Sequence, residues 1–525
     1  MSYPTNQFFQ QTLTTPYSLP QQKNFHKQTL INVTQITLIM INQLTNTIGN
    51  SLIVITILII INWLLLSSNI LAQPIDNSRR EQQVLQSIEF NTDLILENAN
   101  PVEKQQLKNE KYARMQKSTF TFYRATNHLF WQDFANDSRL SKFGNANTKT
   151  WILGDCHIDN FGAYNNDKGE IIFDMNDFDE SIIADYQYDL WRLAVSIILV
   201  ANDSTLSKSE QEEVIDSFSE TYLDTLASYV GNDEETKIYF TETNTKGEVK
   251  KTIEKAAQKT RQRMLEKWTK IVENQRIFDL SSENLGLATD TKKAIESRML
   301  DYGKTLSGNL NYDPEYFKVK DVAQRLNAGL GSLGTPRYYL LIEGKTNALD
   351  DDHILDIKHQ FQPTPTDELF SLYDRINYRK IFNNSAQRHA LAYKAMIKDA
   401  DDFLGWIKLV DNNPIDGDFS GNYSVREISP YKKSLKIKNL TDKNSFIEVA
   451  QQWGKILATD HARADKDFDQ KLVSTSFEKQ VKKITDGKHQ EFRELVREIA
   501  FKYAEQVEAD YNTLILWSLG KIQKW

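Results

Sequence analysis

The chain has 525 residues, a net charge of −8, and only 20 glycines and 11 prolines, which allows a sizeable core and favours helix. The acidic balance argues against an extended nucleic-acid footprint, so no nucleic-acid partner is expected. The single cysteine, Cys156, excludes an intrachain disulfide and any cysteine-rich metal site.

Residues 1–75 differ in character from everything after them. No charged side chain occurs from Gln28 to Ile75, and the run from Ser51 to Leu66 is almost wholly apolar. That length suits a signal-peptide core and is marginal for a membrane span of roughly 20 residues. The flank "SSNILAQPIDN" resembles a small-residue cleavage site, with Ala72 before Gln73. The expectation is a polar lead-in followed by a signal or anchor segment, so that the protein is membrane-associated or exported (periplasmic). Lys23 and Lys27 precede the run and Arg79 and Arg80 follow it, so orientation stays undecided. Met40 is an alternative start.

From residue 76 the composition is that of a globular protein, and 76–317 reads as a mainly helical region with Pro101 as punctuation. Inside it, "KTWILGDCHIDNFGAYNNDKGEIIFDMNDFDE" reads as strand, loop, strand, "NNDKGE" turn and strand. "YQYDLWRLAVSIILVAND" has helical spacing, with Leu190, Leu193, Ala194, Ile197 and Ile198 on one side. Further helices are expected to about Met299, the basic run "KKTIEKAAQKTRQRMLEKWTKI" being a solvated helix face. Residues 318–435 read as a small β-rich region and 436–525 as C-terminal helices.

Two stretches carry chemistry. In "WILGDCHIDNFG", Asp155 precedes Asn160 by five positions, the spacing at which a kinase catalytic loop sets a hydroxyl-orienting Asp before a Mg²⁺-binding Asn. Asp174 closes the apolar run "IIF", where a metal-binding Asp would leave a strand, and Asp177 is an auxiliary ligand. Carboxylate and carboxamide oxygens suit Mg²⁺. His157 and Asp189 are expected to brace the loop, and Cys156 to pack as a small apolar group.

The second stretch is "DVAQRLNAGLGSLGTPRYYLLIEGKTNALDDDHILDIKHQ". Gly329, Gly331, Ser332 and Gly334 precede a β-rich run, a turn and a second run ending at Lys358. A Rossmann fingerprint would have a helix after its glycines, whereas glycine loop, strand, then a strand bearing Lys is the kinase order for gripping nucleotide phosphates.

The pieces "GDCHIDN", "IIFDMNDFDE" and "YDLWRLAVSI" resemble the Gly-Asp-x-His-x-x-Asn and Asp pattern of aminoglycoside and choline kinases, in the version found in the bacterial domain of unknown function 2252 family. "RMQKSTFTFYRA", "DVAQRLNAGLGSLG", "DDFLGW", "YSVREI", "GKILATDHARADKD" and "YAEQVEADY" extend that resemblance from about Arg80 to the C-terminus. It implies a kinase-like site and leaves the substrate open. In this chain "KHQ", with His359, stands where the family leads to Lys-Glu-Ala. A second motif, "HARADKD", is a candidate phosphate- or substrate-contacting patch through Arg463.

The expected fold is therefore α+β, two-lobed and protein-kinase-like, circularly permuted because the catalytic loop precedes the glycine loop. The expected function is an ATP- and Mg²⁺-dependent phosphotransferase acting on an unknown acceptor hydroxyl, with Asp155 as base or orienting group. The expected nucleotide contacts are Gly329, Gly331, Ser332, Gly334 and Lys358, and the expected metal ligands are Asn160, Asp174 and Asp177. The alternative is a non-catalytic, kinase-shaped protein that binds a nucleotide or metabolite.

Overall fold

The computed structural model describes residues 77–97, 99–306, 317–331, 333–346, 348–411 and 418–521. The run Ser51–Leu66 lies outside the described residues. Among those described, no helix is long and apolar enough to cross a membrane, which corrects the expectation of a membrane anchor and of a membrane or exported location resting on it. Residues from Val84 onward form one compact unit, and Asn77–Gln83 are the described part of a second.

The class is α+β. The principal helices are α1 (Asn77–Ile95), α2 (Pro101–Met115), α3 (Thr119–Ala125), α4 (Asn127–Phe134), α5 (Gln187–Asn202), α6 (Lys208–Tyr229), α7 (Gly247–Ala257), α8 (Arg261–Trp268), α9 (Ser385–Met396), α10 (Lys443–Arg463), α11 (Phe477–Thr485) and α12 (His489–Ser518). Their starts follow local chemistry. Ser207 and Glu210 form a reciprocal capping box at α6, and Asp442 with Ser445 does the same at α10. Helix α5 is buried on every side from Gln187 to Leu199, as its apolar sequence requires. It packs along α12, and α6 packs along α10.

Strands β1 (Lys149–Ile152) and β4 (Ile182–Asp185) pair with each other, and β2 (Phe161–Asn165) pairs with β3 (Ile171–Met175). The β2–β3 turn is the "NNDKGE" segment, where Asn166 Oδ1 accepts from the backbone N–H of Lys168 and Glu170 at 3.1 and 2.9 Å.

The stretch expected to be helical to about Met299 also carries strands. The basic run divides at Gln258–Thr260 into α7 and α8, and a hairpin of β5 (Thr269–Val272) and β6 (Gln275–Phe278) follows, then β7 (Leu285–Leu287). Glu273 and Asn274, at φ 50° and 61°, make its two-residue turn, which needs two left-handed residues.

Strands β8 (Val319–Arg325), β9 (Arg337–Ile342), β10 (His353–His359), β11 (Gly405–Leu409) and β12 (Gly421–Glu427) join β7 in an antiparallel sheet ordered β11-β12-β10-β9-β8-β7. Side chains alternate across it. Tyr338, Leu340, Ile342, Leu355 and Ile357 enter one apolar cluster, while Tyr339, Leu341 and Ile354 enter another. By that alternation Arg337, Asp356 and Lys358 share the second face. A short strand, β13 (Lys433–Ser434), then pairs with β2.

Candidate active site

Strand β1 ends in a left-handed turn that aims the next residues into a cleft. Gly154 has φ +74°, and a Cβ there would lie 2.1 Å from the carbonyl oxygen of Glu180, so no side chain fits. Asp189, in the first turn of α5, accepts from the N–H groups of Leu153 and Gly154 at 2.5 and 2.9 Å. Trp131 Nε1 donates to the Gly154 carbonyl at 2.8 Å. Gly154→Ala is expected to destabilise the fold by about 3 kcal/mol, read as a lower urea midpoint, because it adds backbone strain to a backbone clash.

This turn presents Asp155. Its carboxylate accepts from Arg192 Nε at 2.6 Å, and its carbonyl accepts from Asn160 Nδ2 at 2.7 Å. Burial pushes the Asp155 carboxyl up to about 6 despite the attraction of Arg192. Arg192 is fully buried and lies over the Tyr123 ring, 4.3 Å from its centroid. His157 is buried, with Nε2 3.8 Å from Asp155 Oδ2 and its ring edge-on to Phe120. Burial holds its imidazole well below the ordinary value, so it is neutral. Cys156 is fully buried in the main apolar cluster.

Beyond β3, the segment Asp177–Glu180 faces the same cleft. Arg388 of α9 fixes it by donating to the carbonyls of Asp179 and Ser181 at 2.6 and 2.5 Å. Asp179 pairs with Lys358 and accepts from Gln360 Nε2 at 2.9 Å. Burial alone would raise the Asp179 carboxyl, but Lys358 and His389 hold it well below the usual range. Lys358 answers in the opposite sense. Burial lowers its pKa, Asp179 and Asp177 outweigh that, and the net shift is upward, so the ammonium stays charged. Glu180 accepts from the backbone N–H of Thr364 at 2.7 Å. Burial and then Asp155 push its carboxyl up to about 7.

The glycine loop joins β8 to β9 and closes the cleft from the other side. Gly329 has φ +75°, and its carbonyl accepts from Arg114 Nη1 at 2.8 Å. Gly331 passes over the end of α3, where an added Cβ would lie 4.0 Å from the Arg124 carbonyl. Arg124 itself pairs with Asp159 at 2.6 Å.

The cavity in this cleft measures about 190 Å³, and Asp155, Asn160, Asp177, Gly329, Gly331 and Lys358 all line it. Ser332 lies outside the described residues. Gly334 lines a neighbouring cavity of about 1070 Å³ instead. Asp174 is not among the lining residues. It is buried, accepts from its neighbour Met175 N–H at 2.8 Å, and shares a hydrogen bond with Asp460. Burial and the Asp174 charge drive the Asp460 carboxyl well above the usual range, so this pair keeps a proton. Asn160 and Asp177 supply oxygen donors at the cavity that suit a hard divalent cation completing its shell with water and phosphate. Among the described residues, the carboxylate and His groups whose ligand atoms lie within 4.8 Å of one another are elsewhere, at Glu220, Asp224 and His489 and at Asp233, Glu235 and Asp467.

Arg463 is corrected as a phosphate contact. Its guanidinium is buried and donates inward, to the carbonyls of Glu235 at 3.0 Å and Ile238 at 3.1 Å and to Asp460 at 3.0 Å. His461 in the same motif is fully buried, with Nε2 3.3 Å from Asp189. Arg192 belongs to the site without having been singled out in the sequence. Arg192 stands one turn of α5 beyond Asp189, the only local signal that it faces the same loop.

No curated protein and no solved structure matches this chain. The family described as "uncharacterized protein conserved in bacteria (DUF2252)" matches residues 104–516, spanning the cleft and the sheet above it. Most of the chain lies in that match, and the protein therefore belongs to this bacterial family.

Proposed function

We propose that the protein is an ATP- and Mg²⁺-dependent phosphotransferase of kinase-like plan, acting on a hydroxyl acceptor, with the glycine loop and lysine placed after the catalytic loop in the chain. One observation carries this reading: Asp155, Asn160, Asp177, two loop glycines and Lys358, drawn from segments far apart in sequence, line one cavity. These residue types are the ones phosphoryl transfer uses for orienting a nucleophile and offsetting phosphate charge. The order β8, glycine loop, β9, β10 with Lys358 follows the kinase order of strand, loop, strand and Lys-bearing strand. A circular permutation of this kind is permitted where the joined ends lie near each other at the surface.

In this reading Asp155 accepts or orients the acceptor hydroxyl, and Arg192 fixes the carboxylate. Lys358, held by Asp179 through one of its three N–H donors, gives the others to phosphate oxygens. Asn160 and Asp177 would hold magnesium, which when bound offsets the charge of the phosphates. Asp174, paired to Asp460 away from the cavity, takes no ligand role here. A cavity of about 190 Å³ suits the phosphates alone. The nucleoside would extend into the neighbouring cavity, which shares Ile95, Thr335 and Phe361 with it.

The test is a thermal-shift series with ATP, ADP and AMP, with and without Mg²⁺. Stabilisation should fall in that order and require the metal, reaching about 2.7 kcal/mol at a hundred times Kd. Lys358→Met should lose the ATP response. No nucleotide response in the parent protein would overturn the reading. Binding with neither phosphoryl transfer nor ATP hydrolysis would leave a kinase-shaped binding protein in its place.

A further inference from the structure

A second cavity, of about 640 Å³, lies along the same face of the large sheet. Its size falls within the range of small-molecule sites. Asn176 lines it and Asp177, the next residue, lines the cleft described above. The floor is set by strand register. Lys358 stands opposite Arg337 across β9 and β10, and Asp356 stands opposite Arg426 across β10 and β12. Like charges facing each other across a sheet repel, and two carboxylates offset them. Asp179 pairs with Lys358, and Asp356 takes both Arg337 Nε, at 2.6 Å, and Nη2.

Two further cations, Arg426 and Lys432, line this cavity, Arg426 facing Asp356 across β10 and β12. Arg426 donates to the Asn176 carbonyl at 3.0 Å, and Lys432 stands exposed at the cavity's edge. Among the described residues neither forms an ion pair with a carboxylate. Glu427, the nearest acid in sequence, is taken by Arg261 and His353. Arg337, Arg426 and Lys432 bring three cations to this cavity. Trp268, Tyr339 and Tyr393 make an aromatic part of the wall, beside the carboxylates Asp167, Asp401 and Asp402, and the Tyr393 ring centroid lies 5.8 Å from the Arg426 guanidinium.

We propose that this second cavity binds a small phosphate-bearing molecule, its oxyanion between Arg337, Arg426 and Lys432 and its uncharged body against the aromatic wall. This site is independent of the phosphotransferase reading, since it shares neither Asp155 nor Lys358.

The experiment titrates the full chain with inorganic phosphate by calorimetry, against sodium chloride at matched ionic strength. Saturable binding with a Kd of about 1 mM or tighter is expected. Arg426→Gln should weaken it about tenfold, the loss of one charge-assisted contact. Lys432→Gln should also weaken it, and because Lys432 is exposed that variant folds even if Arg426→Gln does not. Absence of saturable binding overturns the proposal, as does unchanged binding in Lys432→Gln and Arg426→Gln. A response lost in Lys358→Met but kept in those two would place the anion in the first cleft and overturn it equally.

Discussion

Asp155→Asn is expected to lower turnover about a hundred- to ten-thousandfold while ATP-induced stabilisation persists, the pattern of a group acting in the transition state. The pH profile gives a second readout. Burial raises the Asp155 carboxyl to about 6, and the base must be ionised to accept a proton, so turnover of the parent should rise with pH through about 6 and then level. Linkage gives stability the opposite sense. An acid whose folded pKa exceeds its unfolded value stabilises the fold fully below the unfolded value, and that contribution is lost as pH climbs toward about 6. Equal turnover in Asp155→Asn and the parent would remove Asp155 from the chemistry.

Arg192→Leu is expected to cost about 3–5 kcal/mol in chemical denaturation at neutral pH, because it leaves the Asp155 carboxylate buried without its partner. The double variant Arg192→Leu with Asp155→Asn should recover part of that loss, since the orphaned charge is then gone. Strictly additive losses would show that Arg192 matters for packing against Tyr123 alone. Acidification should narrow the gap between Arg192→Leu and the parent, because protonating Asp155 removes the same charge.

Much of the architecture was legible where neighbours in sequence decide it. The "NNDKGE" turn, the apolar run of α5 and the alternation of β9 and β10 are local signals, and the structure follows them. The α+β class came from the same signals. The β5–β6 hairpin was hidden because its turn is Glu273–Asn274, without the glycine that usually marks two left-handed residues, directly behind a strongly helical run. At the site, the spacing of Asp155 and Asn160 is local, and both line the cavity. That Asp177 lines the cavity while Asp174 pairs with Asp460 was not legible, because Asp460 lies far along the chain. Arg463 read as a free cation for the same reason: its acceptors are carbonyls of distant segments. The cation excess at the second cavity depends on the pairing of β10 with β12, which no single segment carries.

The closing contacts of the cleft span very different distances along the chain. Arg192 meets Asp155 across 37 positions, whereas Lys358 meets Asp179 across 179. Loop-closure entropy must be met before such remote contacts give anything back, and chains rich in them fold slowly. The lower half of the cleft can therefore form early, as one helix and one turn settling on each other. Its roof arrives only when the whole sheet has closed. During synthesis the ribosome must release nearly two hundred further residues before the acidic rim around Asp177 and Asp179 meets its cation.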